Sequence, residues 1–165
     1  YPLPEAQLDR FLMHLNIDYP GADTEIEILR LTRGEALAEV VSPPTPLTQS
    51  DIFSARKEIL QIHLAPELEQ YLVDLIIATR QPEKYDEQLS KWIAFGASPR
   101  ATISLDKCAR ANAWLDGRDF VTPDDIQSVF HNTLRHRMLL SYEAEAAGVT
   151  ADKLLDRVLE LVAVP

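Results

Sequence analysis

One arginine stands where it could bind an anion at the start of a helix. Ser98 is a favourable N-cap residue, and Pro99 suits the first helical position, where its missing N–H costs nothing. Arg100 then lies in the first turn, beside backbone amides that carry a partial positive charge. A cation is mildly unfavourable there, and an external anion such as phosphate would explain it. The simpler alternative is a surface arginine paired with a carboxylate.

Arg10 is the second arginine that could do chemistry. It lies on a predicted short helix, Pro4–Leu12, which directly precedes the stretch Met13–Asp18. Apolar and polar side chains alternate in that stretch, which predicts a strand. From the sequence alone, an ion pair with Asp9 or Glu5 is the simpler interpretation of Arg10.

Composition excludes several other kinds of chemistry. The chain has 165 residues and a formal net charge of −10, which argues against a nucleic-acid partner. Cys108 is the only cysteine, so neither a disulfide within this sequence nor a cysteine-based zinc site can form. Reducing, cytoplasmic surroundings are therefore expected. No apolar run approaches the ~20 residues that span a bilayer, so no membrane insertion is expected.

Nucleotide and metal motifs are missing from these residues. The sequence has neither GxxxxGK[ST] nor GxGxxG, so it cannot cradle a nucleotide's phosphates unaided. The four histidines do not have the spacing of a metal site, and no metal is predicted. Cys108 lies on an apolar helix face, where an inert core role is expected.

Helical patterns dominate the rest of the chain. The central predicted helix is Pro99–Leu115, with Ala101, Leu105, Cys108 and Leu115 facing inward. A helix that begins at Thr48 is expected to bury Ile52, Ala55, Ile59 and Leu60. Gln81–Leu89 is expected to be a loop, and further helices are predicted over 66–79, 123–134 and 150–162. Ser42–Pro46 (SPPTP) predicts a domain boundary. The expected fold is mainly α, a helical domain behind a short α/β segment.

Two motifs resemble one ATPase family. Tyr1–Phe11, YPLPEAQLDRF, is similar to the segment that follows the first sensor of MoxR-type AAA+ ATPases. Gly96–Arg100, GASPR, resembles the second-sensor motif of that family. Gly117–Asp125, with Arg135–Arg137 behind it, resembles the continuation of the lid, and Tyr142–Pro165 resembles the family's C-terminal end. The similarity covers essentially the whole chain.

The resemblance implies a role for each arginine. Arg10 would be the arginine finger, which stabilises charge on the γ-phosphate in a neighbouring subunit's site. Arg100 would be the second-sensor arginine, which contacts nucleotide. Residues 1–41 would end the α/β core, and 42–165 would form the helical AAA+ lid. ATP and Mg²⁺ would serve the full-length protein. The Walker motifs would precede Tyr1, so these residues alone are not expected to hydrolyse ATP or to bind it.

The resemblance also implies partners. Subunits would assemble into a ring, by analogy a hexamer, that couples ATP hydrolysis to chaperone-like assembly or activation of other complexes. Von Willebrand A-domain proteins and metal-cofactor insertion are associated with the family. Two alternatives are a helical adaptor without a nucleotide role and a DNA-binding helix built on Arg135–Arg137. The net charge of −10 disfavours the DNA-binding alternative.

Overall fold

Helices make up most of the chain, as the apolar periodicity predicts. The computed structural model describes residues 3–37 and 45–165. The helices in these residues are α1 (Glu5–Leu8), α2 (Ala22–Ala36), α3 (Gln49–Gln61), α4 (Pro66–Arg80), α5 (Glu87–Trp92), α6 (Pro99–Leu115), α7 (Pro123–Leu134), α8 (Tyr142–Ala146) and α9 (Ala151–Leu161). Two short strands, β1 (Ile93–Phe95) and β2 (Leu139–Leu140), pair antiparallel. The prediction of a mainly α fold is confirmed.

The chain divides into two compact units. One contains the residues up to His14 together with Ala55–Pro165, and the other is Leu15–Ser54. The predicted boundary between residues 41 and 42 lies outside the described residues, as do Pro43 and Pro44 of the predicted linker. The division into 1–41 and 42–165 therefore stays a prediction.

The core of the larger unit lies between α4, α6, α7 and α9. Its fully buried side chains include Leu75, Leu105, Phe130 and Leu154. Helix α6 contributes mainly small residues such as Ala109, which let its neighbours approach closely. This packing fixes α6, and with it the segment that precedes Arg100.

Three predicted core positions are exposed and therefore wrong. Leu115 is 75% exposed, because α6 ends at this residue and Gly117 takes φ +73° and turns the chain away. On α3, Ile52 and Leu60 are exposed as well, and Ala55 and Ile59 are only half-buried. Helical periodicity identifies an apolar face but not whether another element packs on it.

The predicted strand Met13–Asp18 is also absent. These residues have no regular secondary structure, since no described strand lies beside them to complete a ladder. Instead, the His14 amide donates to the Asn132 carbonyl over 2.8 Å. The predicted loop Gln81–Leu89 contains a 3-10 turn and the start of α5, which Asp86 caps by accepting from the Leu89 amide. Among the described helices, none has the length and apolar character needed to span a bilayer.

Candidate functional site

The segment before Arg100 is held rigidly against α4. A Cβ atom at Gly96 would overlap the carbonyl group of Thr79, so only glycine allows this close approach. Ala97 is buried, its amide donates to Thr79 Oγ1 over 3.0 Å, and its carbonyl accepts from Arg80 Nε over 2.6 Å. The close contact with α4 thus explains Gly96, and burial with two main-chain hydrogen bonds fixes Ala97.

Ser98 and Pro99 start α6 as the sequence predicts. Ser98 has extended backbone angles, and its hydroxyl oxygen accepts from the Arg100 amide over 3.1 Å. Pro99 occupies the first turn. Arg100 therefore projects from the first turn of a 17-residue helix whose amide end carries partial positive charge.

The Arg100 side chain is held loosely. It is 54% exposed, and its one ion pair in the described part of the chain joins Nη1 to Asp9 Oδ2 over 3.2 Å. Its other guanidinium nitrogens make no hydrogen bond within the described residues. The sequence offered two interpretations of Arg100, an anion-binding group and a partner of a carboxylate, and this geometry is compatible with both.

Asp9 is the acceptor on which several donors converge. Its side chain is 17% exposed. The Ser98 hydroxyl donates to both carboxylate oxygens over 2.9 Å, and Arg137 Nε approaches Oδ1 at 3.3 Å. The residue immediately before Arg10 is therefore attached to the start of α6.

Arg137 is the buried anchor of this cluster. Its side chain is only 2% exposed. Besides Asp9 Oδ1, it donates to the main-chain oxygens of Asp9 and Phe11, to the Thr133 carbonyl and to Ser104 Oγ, over 2.6–3.2 Å. Burial lowers the pKa of Arg137 while Asp9 opposes this, and an arginine stays protonated in either case.

Sequence reasoning missed both Asp9 and Arg137. Arg135–Arg137 were expected to complement the dipole of a helix end. Instead α7 ends at Leu134, and a 3-10 turn over Arg135–Arg137 directs the last side chain inward. The one available signal was that Asp9 lies inside the PEAQLDRF motif itself.

Arg10 follows Asp9, the residue attached to the start of α6, and is exposed. Its amide donates to the Gln7 carbonyl over 3.1 Å. Within residues 3–37 and 45–165, its guanidinium has no ion pair, so the predicted pairing with Asp9 or Glu5 is absent from the described residues. Asp9 pairs with Arg100 instead, so Arg100 contacts the residue that precedes Arg10 and not Arg10 itself.

His136 adds a second contact to the tethered segment. Its Nε2 lies 3.1 Å from the Phe11 carbonyl, which requires a proton on Nε2. Nδ1 is buried without a partner among the described residues, and the His14 ring lies 5.9 Å away. Burial lowers the pKa of His136, partly opposed by the Phe11 hydrogen bond, so the neutral ring is favoured.

A separate ion pair joins the turn after α6 to the buried Asp125 of α7. Arg118 donates two hydrogen bonds of 2.6 Å to the two carboxylate oxygens of Asp125, whose side chain is 2% exposed. Asn112 and the capping residue Thr122 also donate to Asp125. Burial acts to raise the pKa of Asp125, but these hydrogen bonds outweigh it and hold the pKa well below its usual range.

The residues fit a phosphate but not a complete nucleotide site. An exposed guanidinium at the amide end of a long helix suits a phosphate oxygen. In the described ranges, no group of three or more His, Cys, Asp or Glu side chains could hold a metal ion.

Comparisons with known proteins show what the chain is similar to. Residues 89–158 match the AAA lid domain family. The whole chain is 37% identical to the chaperone MoxR1 of Mycobacterium tuberculosis, of which it covers 43%, and 33% identical to the protein MoxR of Paracoccus denitrificans, of which it covers 52%. It therefore spans about half the length of these curated relatives.

A solved structure shares the fold over the whole chain. The crystal structure of a "putative ATPase" from Cytophaga hutchinsonii superimposes with a TM-score of 0.89 at 34% identity, over 100% of this chain and 50% of that one. Fold, lid domain and full-length sequence similarity point to the same family. The chain therefore contains an AAA lid domain and is similar, over its whole length, to MoxR proteins of which it spans about half.

Proposed function

We propose that the protein containing this chain is a ring-forming ATPase that couples ATP binding and hydrolysis to chaperone-like assembly or activation of partner complexes. Arg100 contacts nucleotide phosphate as the second-sensor residue. Arg10 acts as the arginine finger on the γ-phosphate in a neighbouring subunit's site. ATP and Mg²⁺ are the cofactors of the full-length protein, and Mg²⁺ supplies charge neutralisation at the phosphates.

The observation that supports this function most directly is the charge balance at Asp9. Two guanidinium groups, those of Arg100 and Arg137, share one carboxylate. The cluster therefore keeps one excess positive charge, and the exposed member carries it. Such an arrangement favours an incoming anion.

The exposure of Arg10 supports its proposed role. A finger must reach a site outside its own subunit, so its guanidinium has to project into solvent without an internal partner. Arg10 meets this requirement within the described residues. Asp9, the residue before it, is bonded to the lid, and this limits the range of positions that Arg10 can reach.

The test is ATP turnover of the full-length protein with Arg10→Ala or Arg100→Ala. We expect Arg10→Ala to lower turnover by about 10³-fold or more, as fingers do, and Arg100→Ala by about 10²-fold. If each mutant subunit complements the other, mixing the two inactive variants restores part of the activity.

Matched controls separate function from loss of charge. Lys107→Ala removes an exposed cation two turns further along α6, and Arg56→Ala removes an exposed arginine from α3. Both variants should turn over at the wild-type rate. Wild-type turnover in Arg10→Ala would end the finger assignment, and wild-type turnover in Arg100→Ala would end the sensor assignment.

A helical adaptor without a nucleotide role is the second candidate. Exposed apolar residues on α2, including Ile26, Leu29 and Leu31, favour it, because such residues often mark protein contacts. The adaptor predicts partner binding that is indifferent to Arg100→Ala and to ATP. Von Willebrand A-domain proteins are the partner class to test first under either function.

A further inference from the structure

Asp9 contacts two arginines that differ sharply in how firmly they are held. Arg137 is buried and bound on every side, whereas Arg100 is half exposed and has a single 3.2 Å contact. The Ser98 hydroxyl also donates to both oxygens of the carboxylate. One arginine can therefore leave Asp9 while the other donors stay.

We propose that Asp9 is an internal counter-ion that competes with nucleotide phosphate for Arg100, so that Arg100 exchanges between Asp9 and the phosphate. This inference rests on the proposed nucleotide contact of Arg100. Asp9 is a positioning residue here, because it acts on nucleotide only through Arg100.

The exchange leaves no unpaired charge behind. When Arg100 moves to a phosphate, the Asp9 carboxylate still has Arg137 Nε at 3.3 Å and the Ser98 hydroxyl at 2.9 Å. The carboxylate is thus already neutralised by a group that cannot depart, since Arg137 is fixed by Thr133 and Ser104. Burying an uncompensated charge would otherwise oppose the movement.

The tether of the Arg10 segment survives the same exchange. Arg137 donates to the main-chain oxygens of Asp9 and Phe11, and neither bond involves Arg100. Nucleotide state is therefore expected to change the Arg100 contact and leave the attachment of the segment before Arg10 in place.

The test is the affinity of the full-length protein for a non-hydrolysable ATP analogue, measured by calorimetry on wild type and Asp9→Asn. Asparagine removes the competing charge but keeps a hydrogen-bond acceptor for Ser98, and the main-chain bonds from Arg137 are unaffected. We expect Asp9→Asn to bind the analogue about two- to fivefold more tightly, which is the range of an exposed ion pair. A merely structural role would weaken binding or leave it unchanged.

Combining Asp9→Asn with Arg100→Ala tests whether Asp9 affects nucleotide binding only through Arg100. Arg100→Ala should bind about tenfold or more weakly, because a charge-assisted bond to phosphate is lost. In that background Asp9→Asn should have no further effect on affinity. If Arg100→Ala binds normally, the proposed contact of Arg100 with nucleotide fails. If it binds weakly but Asp9→Asn does not bind more tightly than wild type, only the counter-ion proposal fails.

A measurement on wild type does not depend on whether Asp9→Asn folds. In arginine-selective ¹⁵N spectra, assigned with the Arg100→Ala variant, the analogue should shift the Arg100 signal and leave the Arg137 signal in place. If both signals shift, Arg137 does not stay in place when Arg100 moves, and the proposal is overturned. Movement of neither would remove the Arg100 contact itself.

Discussion

At the scale of single residues, the attachment of Asp9 and Phe11 to the helical unit depends on one buried arginine. We call this attachment the tether. Arg137 donates to the main-chain oxygens of Asp9 and Phe11, the second of which also accepts from His136, and among the described residues its own charge is paired only with Asp9. A buried cation with a full set of partners is held strongly because each partner would be left unsatisfied if the cation were removed.

Arg137→Met should therefore destabilise the chain severely. We expect the free energy of unfolding to fall by about 3–5 kcal/mol, as when one partner of a buried pair is removed. Urea unfolding followed by circular dichroism measures the loss. Arg56→Met, which removes an exposed arginine, is the control and should change stability by less than about 0.5 kcal/mol. A loss below 1 kcal/mol in Arg137→Met would contradict the anchor role.

Asp125 gives a prediction that depends on pH. Its pKa is held below the usual value of about 3.9 by Arg118, Thr122 and Asn112. The unfolded chain takes up the proton first, so the stabilisation is present above about pH 4 and is lost as pH falls through the folded-state pKa.

Asp125→Asn should cost about 3 kcal/mol or more at pH 7, and its difference from wild type should narrow below about pH 4. Urea unfolding at pH 7, 5 and 3 measures both effects. Asp124→Asn in the same helical turn is exposed and should cost at most about 1 kcal/mol, mainly from the helix dipole. A difference that stays constant down to pH 3 would argue against the ion pair.

At the scale of elements, the loop into α6 is specified by close packing. Gly96→Ala should lower the free energy of unfolding by about 2 kcal/mol, because the added methyl group meets the backbone of Thr79 and Arg80. We expect the thermal midpoint to fall by roughly 4–8 °C. Gly21→Ala is the control, since nothing lies within 4 Å of a Cβ there and φ is −70°. An equal effect of both changes would remove the packing explanation.

Local signals predicted the best-marked helices closely. Ser98-Pro99 and Gly117 bracket α6, and Thr122-Pro123 with Asp125 starts α7 through a capping box. Other elements carry weak signals. The strands β1 and β2 have three and two residues, too few for a detectable alternation. The stretch Met13–Asp18 alternates without being a strand, because alternation cannot supply a hydrogen-bonding neighbour.

The candidate site was predictable only in part, for a related reason. Arg10 and Arg100 can be predicted as candidate site residues because each lies in a short motif. Arg137 is separated from Asp9 by more than a hundred positions, and a sequence does not reveal that a basic residue after a helix turns inward. Burial of a charge depends on partners from elsewhere in the chain.

At the scale of the whole molecule, the tether attaches the residues on both sides of Arg10 to the helical unit. The residues up to His14 belong to the same compact unit as α4, α6, α7 and α9, and hydrogen bonds from His136, Arg135 and Arg137 join them to it. If Arg10 enters a neighbouring subunit's site, its reach is set by the position of this unit.

The bonds from Arg137 also determine which amino acids positions 9 and 11 can accept over evolution. Two of its bonds go to main-chain oxygens, which every amino acid provides, so these bonds place no demand on the side chain of Phe11. Asp9 is different, since its carboxylate itself is the acceptor. A library that randomises both positions should therefore accept many residues at 11 and very few at 9, so that the tether constrains composition at one position and only backbone geometry at the other.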